Sequence, residues 1–302
     1  MIDEGESSQP SFSHSGKRLL FISSRRPGHT HAQVYEKNLQ SGEERRLTFQ
    51  NGATFSPHYD LADERVIYAS TTDELKEYPP LLNPDGLPSR LPFPLNEPTE
   101  VYLHGVAGLE ITRLTSRRGF DGQARFSTDG RSLTWTQAHE TKNKRKTKVL
   151  SLNRTTGTLG QVHGLGVNPT QYVTSPKGNA AAWIRWDSDF TSTHLMLKRN
   201  STAPTEVAGN FLVLKTDPVF SNNGAWLIWA QREVDSGDLT LWGFDMTTSC
   251  VHRWPMPQGG DRRHPTVSPD GKWLVYTLIQ GERSRIARLP YSPPAGPCTP
   301  TP

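Results

Sequence analysis

The sequence predicts an all-β chain folded as a six-bladed β-propeller of four-stranded antiparallel blades. Three observations predict it: a repeat of blade length, a serine-and-glycine turn at a fixed place in that repeat, and an apolar run after each turn. The 302 residues are 33% hydrophobic and include 25 Gly, 24 Pro and 8 Trp. That balance suits many short strands joined by tight turns, and no window holds the 3.6-residue apolar period of a helical bundle.

Four copies of the repeat are strong: PSFSHSGKRLLFIS from Pro10, ARFSTDGRSLTWTQ from Ala124, PVFSNNGAWLIWAQ from Pro218 and PTVSPDGKWLVYTL from Pro265. QYVTSPKGNAAAWIR from Gln171 is weaker, and ATFSPHYDLADERVIYAS from Ala53 has a longer turn without the glycine. The serines align as Ser13, Ser56, Ser127, Ser175, Ser221 and Ser268, at intervals of 43, 71, 48, 46 and 47 residues. Apart from the second, these intervals match four-stranded blades.

Each element of the blade has its own signal. The residue before the serine (Phe12, Phe55, Phe126, Phe220, Val267) is expected to leave the inner strand toward the packing between blades. Ser-x-x-Gly then reads as a hairpin turn, with Gly16, Gly130, Gly178, Gly224 and Gly271 supplying a positive φ. The following run carries a central aromatic (Phe21, Tyr68, Trp135, Trp183, Trp229, Tyr276) and reads as a strand buried on both faces. Third strands follow, such as QVYEKN from Gln33 and LTLWGFD from Leu239, and outer strands are clearest in ERRLT (44–48) and ITRLT (111–115).

The long second interval is explained by one insertion, residues 73–99, rich in Pro and Leu. It should be a loop over one rim, serving as a lid or partner-binding arm, or packing on its own blade. The propeller spans 1–291, and a Pro-rich tail, 292–302, is expected to be disordered. That tail cannot pair as an inner strand, so the outermost strand of blade six must come from residues 1–8, from upstream sequence, or from nowhere. Cys298 lies in the Pro-rich tail and Cys250 in the body, so a structural disulfide between them is not expected, and cysteine usage does not decide the redox compartment.

The strongest copies, the RRGFDGQ that precedes ARFSTDGRSLTWT, and the outer-strand endings RRLT and TRLT resemble the TolB-like propellers, whose WD40-like repeat reads roughly P-x-F-S-P-D-G before an apolar strand. The resemblance covers nearly the whole chain. It implies six blades, secretion to the periplasm and protein–protein binding in a cell-envelope context. TolB is similar in carrying an N-terminal α/β domain before its propeller, and this sequence has no counterpart, so only the propeller carries over.

Composition narrows the partners. A net charge of +4 is mild and the Lys and Arg are scattered, which argues against nucleic acid; the run KNKRKTK (142–148) reads as a solvated hairpin tip. No stretch reaches the ~20 apolar residues of a membrane span, and the opening MIDEGESSQP is acidic and polar rather than a secretory leader. No cofactor is expected, and the chain is expected to act as a monomer.

Catalytic motifs are missing. There is no G-x-S-x-G; His139-Glu140 begins H-E-x-x-H but meets Asn143; NPDG at Asn83 lacks further acidic ligands. The repeat serines read as turn residues, and most histidines (His29, His31, His58 and His104 among them) as exposed loop residues. One polar position recurs four residues before each serine: Gln9, Gly52, Gln123, Gln171, Asp217 and His264. At the start of an inner strand these side chains should ring one mouth of the channel, with Asp121 and Asp261 on loops entering the same face. Gln9, Asp121, Gln123, Asp217, Asp261 and His264 are therefore the candidate binding residues, for a protein or peptide partner. The rival is a metal-dependent propeller lyase or lactonase, which needs His264, Asp217 and Asp121 to converge. Carbohydrate binding ranks last, because most tryptophans fall in strand positions.

Overall fold

The computed structural model describes residues 2, 6–24, 26–73, 90–108, 110–207, 213–257, 259–295 and 298. Residues 74–89, most of the insertion, lie outside them. Every regular element among the described residues is a strand.

Blade one is β1 (Glu6–Phe12), β2 (Arg18–Ser24), β3 (Gln33–Asn38) and β4 (Glu44–Arg46), paired in that order. Blade two is β5 (Thr54–Tyr59), β6 (Arg65–Ser70), β7 (Glu100–Gly105) and β8 (Ile111–Arg113). Blade three has β9 (Phe120–Phe126), β10 (Ser132–Glu140), β11 (Arg145–Asn153) and β12 (Leu159–Gln161). Blade four runs from β13 (Pro169–Thr174) through β14 (Ala180–Trp186) and β15 (Thr193–Arg199) to β16 (Thr205–Glu206). Blade five is β17 (Lys215–Phe220), β18 (Trp226–Arg232), β19 (Leu239–Asp245) and β20 (Val251–Arg253). Blade six is β21 (Asp261–Val267), β22 (Trp273–Gln280) and β23 (Arg283–Pro290), and its fourth place is touched by Ile2, which exchanges backbone hydrogen bonds of 3.4 and 3.3 Å with Ile286.

Packing closes the ring. Separate apolar clusters sit between successive blades: Phe220, Trp229 and Leu197 join blades four and five, and Ile2, Phe21, Val275 and Ile286 join six to one. All six central aromatics of the middle strands are buried, because those strands carry a neighbouring blade on each face.

The repeat serines prove to be turn residues. Ser13, Ser127, Ser175, Ser221 and Ser268 each accept, on Oγ, the N–H of the residue five positions on, at 2.9–3.0 Å. Blade two differs from the sequence alignment by four residues. There Asp60, not Ser56, is the turn acceptor, taking the N–H of Arg65 at 3.1 Å, and Asp63 (φ 58°) stands where the other blades have glycine. Tyr59 rather than Phe55 enters the inter-blade core.

The tail returns to the body. The Tyr291 ring stacks on Trp254 with centroids 5.6 Å apart, and, against the expectation from its Pro-rich setting, Cys298 is bonded to Cys250, in the turn between β19 and β20, because the chain folds back along blade five.

Candidate functional site: the central channel

Each inner strand is interrupted once by a bulge, and the bulged residue is Gln9, Ser56, Gln123, Gln171, Asp217 or His264, all with φ between 50° and 57°. A left-handed residue with a Cβ costs about 1–2 kcal/mol, so something must hold six of them. The next residue is Pro10, Pro57, Pro218 or Pro265 in four blades, and a proline in an unpaired bulge position gives up no ladder bond.

What holds five of them is a lacing from blade to blade. Gln9 Oε1 accepts the N–H of Ser56 (2.5 Å), Gln123 Oε1 that of Gln171 (3.0 Å), Gln171 Oε1 that of Asp217 (2.8 Å) and Asp217 Oδ2 that of His264 (3.2 Å). The Gln9 N–H donates to Thr277 Oγ1 of blade six at 3.0 Å. A side-chain oxygen of one blade thus satisfies the amide freed by the bulge of the next, which explains why acceptors recur at this position. Blade two contributes Ser56, not Gly52.

Gln9, Gln123, Asp217 and His264 face one cavity of about 150 Å³ at the channel. Burial opposes ionisation of Asp217, but Arg263 at 3.1 Å and the His264 N–H outweigh it and hold the carboxyl well below the usual range. Burial, against the pull of Asp217, brings His264 down to about 4, so it is neutral at pH 7. Asp121 and Asp261 are placed elsewhere. Asp121 is buried in blade three, accepting from Trp135 Nε1 (2.8 Å) and Gln137 Nε2 (3.0 Å), and burial pushes its carboxyl up to about 7. Asp261 accepts the Leu239 N–H at 2.7 Å, between blades five and six.

One layer deeper, two residues before each turn acceptor, lies a ring the sequence reading passed over: Ser11, His58, Arg125, Val173, Val219 and Thr266. All six line a second void of about 420 Å³ toward the turn side, and all but Val173 also line the first. They form the waist between the two voids. Burial, then Arg125, holds His58 well below its ordinary value, so it is no exposed loop residue. His104 is likewise buried, against the Gly108 carbonyl at 3.1 Å. The bulge offset is what hid the layer: Arg125 lies two positions from a residue whose φ only the fold reveals.

The described end of the insertion covers this mouth. Phe93, Pro94 and Glu97 line the same cavity as the laced ring. Leu91 and Leu95 pack with Phe120, Ala138 and Phe190, so this described end rests on blades three and four. Arg90 clamps it to the β10–β11 hairpin through Glu140 (Nε to Oε1, 3.1 Å) and the Lys142 carbonyl (3.1 Å). Thr99 pairs with Phe120 in a parallel bridge and donates to the Asp121 carbonyl at 3.0 Å.

Among the described residues, no three His, Cys, Asp or Glu side chains converge as a metal-ligand group. His264 and Asp217 are adjacent, while Asp121 is engaged inside its blade.

The ring, lacing and channel define a six-bladed propeller with a capped central cavity. Its form is that of the TolB-like propellers. TolB from Acinetobacter baumannii superposes with a TM-score of 0.64 at 17% identity, over 86% of this chain and 56% of that one. A putative TolB from Agrobacterium tumefaciens gives 0.62 at 15% identity, over 94% and 90%. An oligogalacturonate lyase in complex with manganese gives 0.54 at 13% identity, over 95% and 90%. At such identities the likeness is one of fold. This chain spans little more than half of the Acinetobacter protein. No family model matches the sequence, and no curated protein matches it significantly.

Proposed function

We propose that this chain is a non-catalytic binding module that takes a protein or peptide at the arm-covered mouth of its channel. The observation that carries the reading is the arm itself: Phe93, 61% exposed, stands beside Glu97 on the cavity that the six blades converge on. Aromatic side chains, Phe among them, are enriched at protein interfaces relative to the rest of the surface. A periplasmic setting accords with the TolB-like form and with the Cys250–Cys298 bridge, since structural disulfides persist in oxidising compartments.

The test is capture from envelope extracts of the native organism, followed by titration of the captured protein in purified form. Phe93→Asp and Glu97→Lys are expected to weaken that binding at least tenfold, whereas Leu159→Asp on the outer strand leaves it unchanged. Equal affinity across all three variants would end the reading. Cleavage of oligogalacturonate in the presence of manganese would replace it with the lyase reading.

A further inference from the structure

The waist of the channel holds a cation without an anion. Arg125 projects from β9 between the two voids, and the one polar contact of its side chain among the described residues is His58 Nδ1, 3.4 Å from a guanidinium nitrogen. Among the described residues no carboxylate lies within 4 Å of it; Asp217, which reaches it only through longer-range attraction, is paired to Arg263. A guanidinium carries five N–H donors in a planar fork and stays charged, even where burial brings it down to about 10. A half-buried, charged and nearly uncommitted fork is completed best by an anion.

Its neighbours are arranged for such an anion. Ser11 Oγ lies 2.8 Å from His58 Nδ1, so with the hydroxyl donating there, the neutral imidazole keeps its proton on Nε2, a further donor. Gln9 and Gln123 use their side-chain oxygens in the lacing, so each amide NH₂ above the waist remains to donate. Val173 and Val219 make the waist apolar on the side of blades four and five. Two carboxyl groups bound the space, Asp217 paired to Arg263 and Glu97 at the rim, where burial raises its pKa.

We propose that Arg125, with His58 and the amides of Gln9 and Gln123, is the seat of a carboxylate carried by the channel's occupant. A carboxylate matches the planar fork in two parallel hydrogen bonds. The void of about 150 Å³ is of the size that admits a benzene ring. It therefore receives a single acidic side chain or chain end, not a folded segment. This rests on the binding-module reading and names the group by which that partner is held.

The experiment needs no partner. Binding of glutarate, glutaramide and the blocked tripeptide amides Ac-Gly-Glu-Gly-NH₂ and Ac-Gly-Gln-Gly-NH₂ is measured by equilibrium titration on the wild-type chain. Glutarate and the Glu peptide are expected to bind at least tenfold more tightly than their amide counterparts, and Arg125→Gln to abolish the difference while Arg125→Lys keeps part of it. A preference for glutarate alone assigns the seat to free small carboxylates, and a stronger preference for the Glu peptide assigns it to a polypeptide. Equal binding of acid and amide by the wild type, or no binding of either acid, overturns the proposal whatever the variants do. Acid binding that persists while Phe93→Asp leaves partner capture intact would sink the mouth reading and leave the seat standing.

Discussion

At the residue scale the most informative group is Asp121, because its environment sets its charge. It is buried beside Trp135 and Gln137, and burial lifts its carboxyl to about 7. An acid whose folded pKa lies above its unfolded value of about 3.9 binds its proton more tightly in the native chain. Its contribution is therefore full below about pH 4 and is lost as the pH rises toward 7. At 1.36 kcal/mol for each pKa unit the loss has a ceiling of about 4 kcal/mol. Asp121→Asn retains an acceptor for Trp135 Nε1 and removes the titration. Urea midpoints of the wild type should fall between pH 4.5 and 7.5 relative to this variant. Parallel curves would show that the carboxyl is not raised.

At the scale of the element, the turn between inner and middle strands shows why some features were legible in the sequence and others were not. Ser-x-x-Gly could be read from the chain because its chemistry is local: the serine oxygen caps an N–H five residues on, and glycine supplies the positive φ. Blade two misled because Phe55-Ser56-Pro57 imitates the motif four residues too early. The true turn has aspartate at both key places, and nothing local marks Asp63 as a glycine substitute. Its reason is tertiary: the Asp63 carboxylate accepts the N–H groups of His14 (2.5 Å) and Ser15 (2.9 Å) in blade one. The laced ring is legible as a polar position, yet its strained backbone is not, since Gln and Ser carry no left-handed signature and the preference of Asp217 and His264 for that region is too weak to mark a bulge. Asp63→Gly separates the two effects. It relieves about 1–2 kcal/mol of strain but removes two charge-assisted hydrogen bonds worth about 1.5–3 kcal/mol each. The net expectation is a destabilisation of about 2 kcal/mol with an unchanged urea m-value. A variant more stable than wild type would mean that the cross-blade bonds contribute little.

For the whole molecule the open question is how the ring stays shut where the two ends of the chain meet. Five blades are completed by their own fourth strands, whereas blade six ends at β23 and is touched on that edge by Ile2 alone among the described residues. Ile2 is buried with Phe21, Val275 and Ile286, so it belongs to the seam between blades six and one. The Cys250–Cys298 bond, across 48 residues, ties the chain leaving blade six to blade five. Closing a loop of that length in the unfolded chain has a ceiling of about 4 kcal/mol, and truncating a buried isoleucine to alanine costs about 2 kcal/mol or more. Both devices act on blade six, so loosening either should open that blade before the rest. Cys298→Ser and Ile2→Ala are each expected to lower the urea midpoint and to speed amide exchange in β22 and β23, leaving β10 and β11 at wild-type rates. Exchange accelerated equally in all six blades would mean instead that the propeller opens as one unit, with no weak seam where its ends meet.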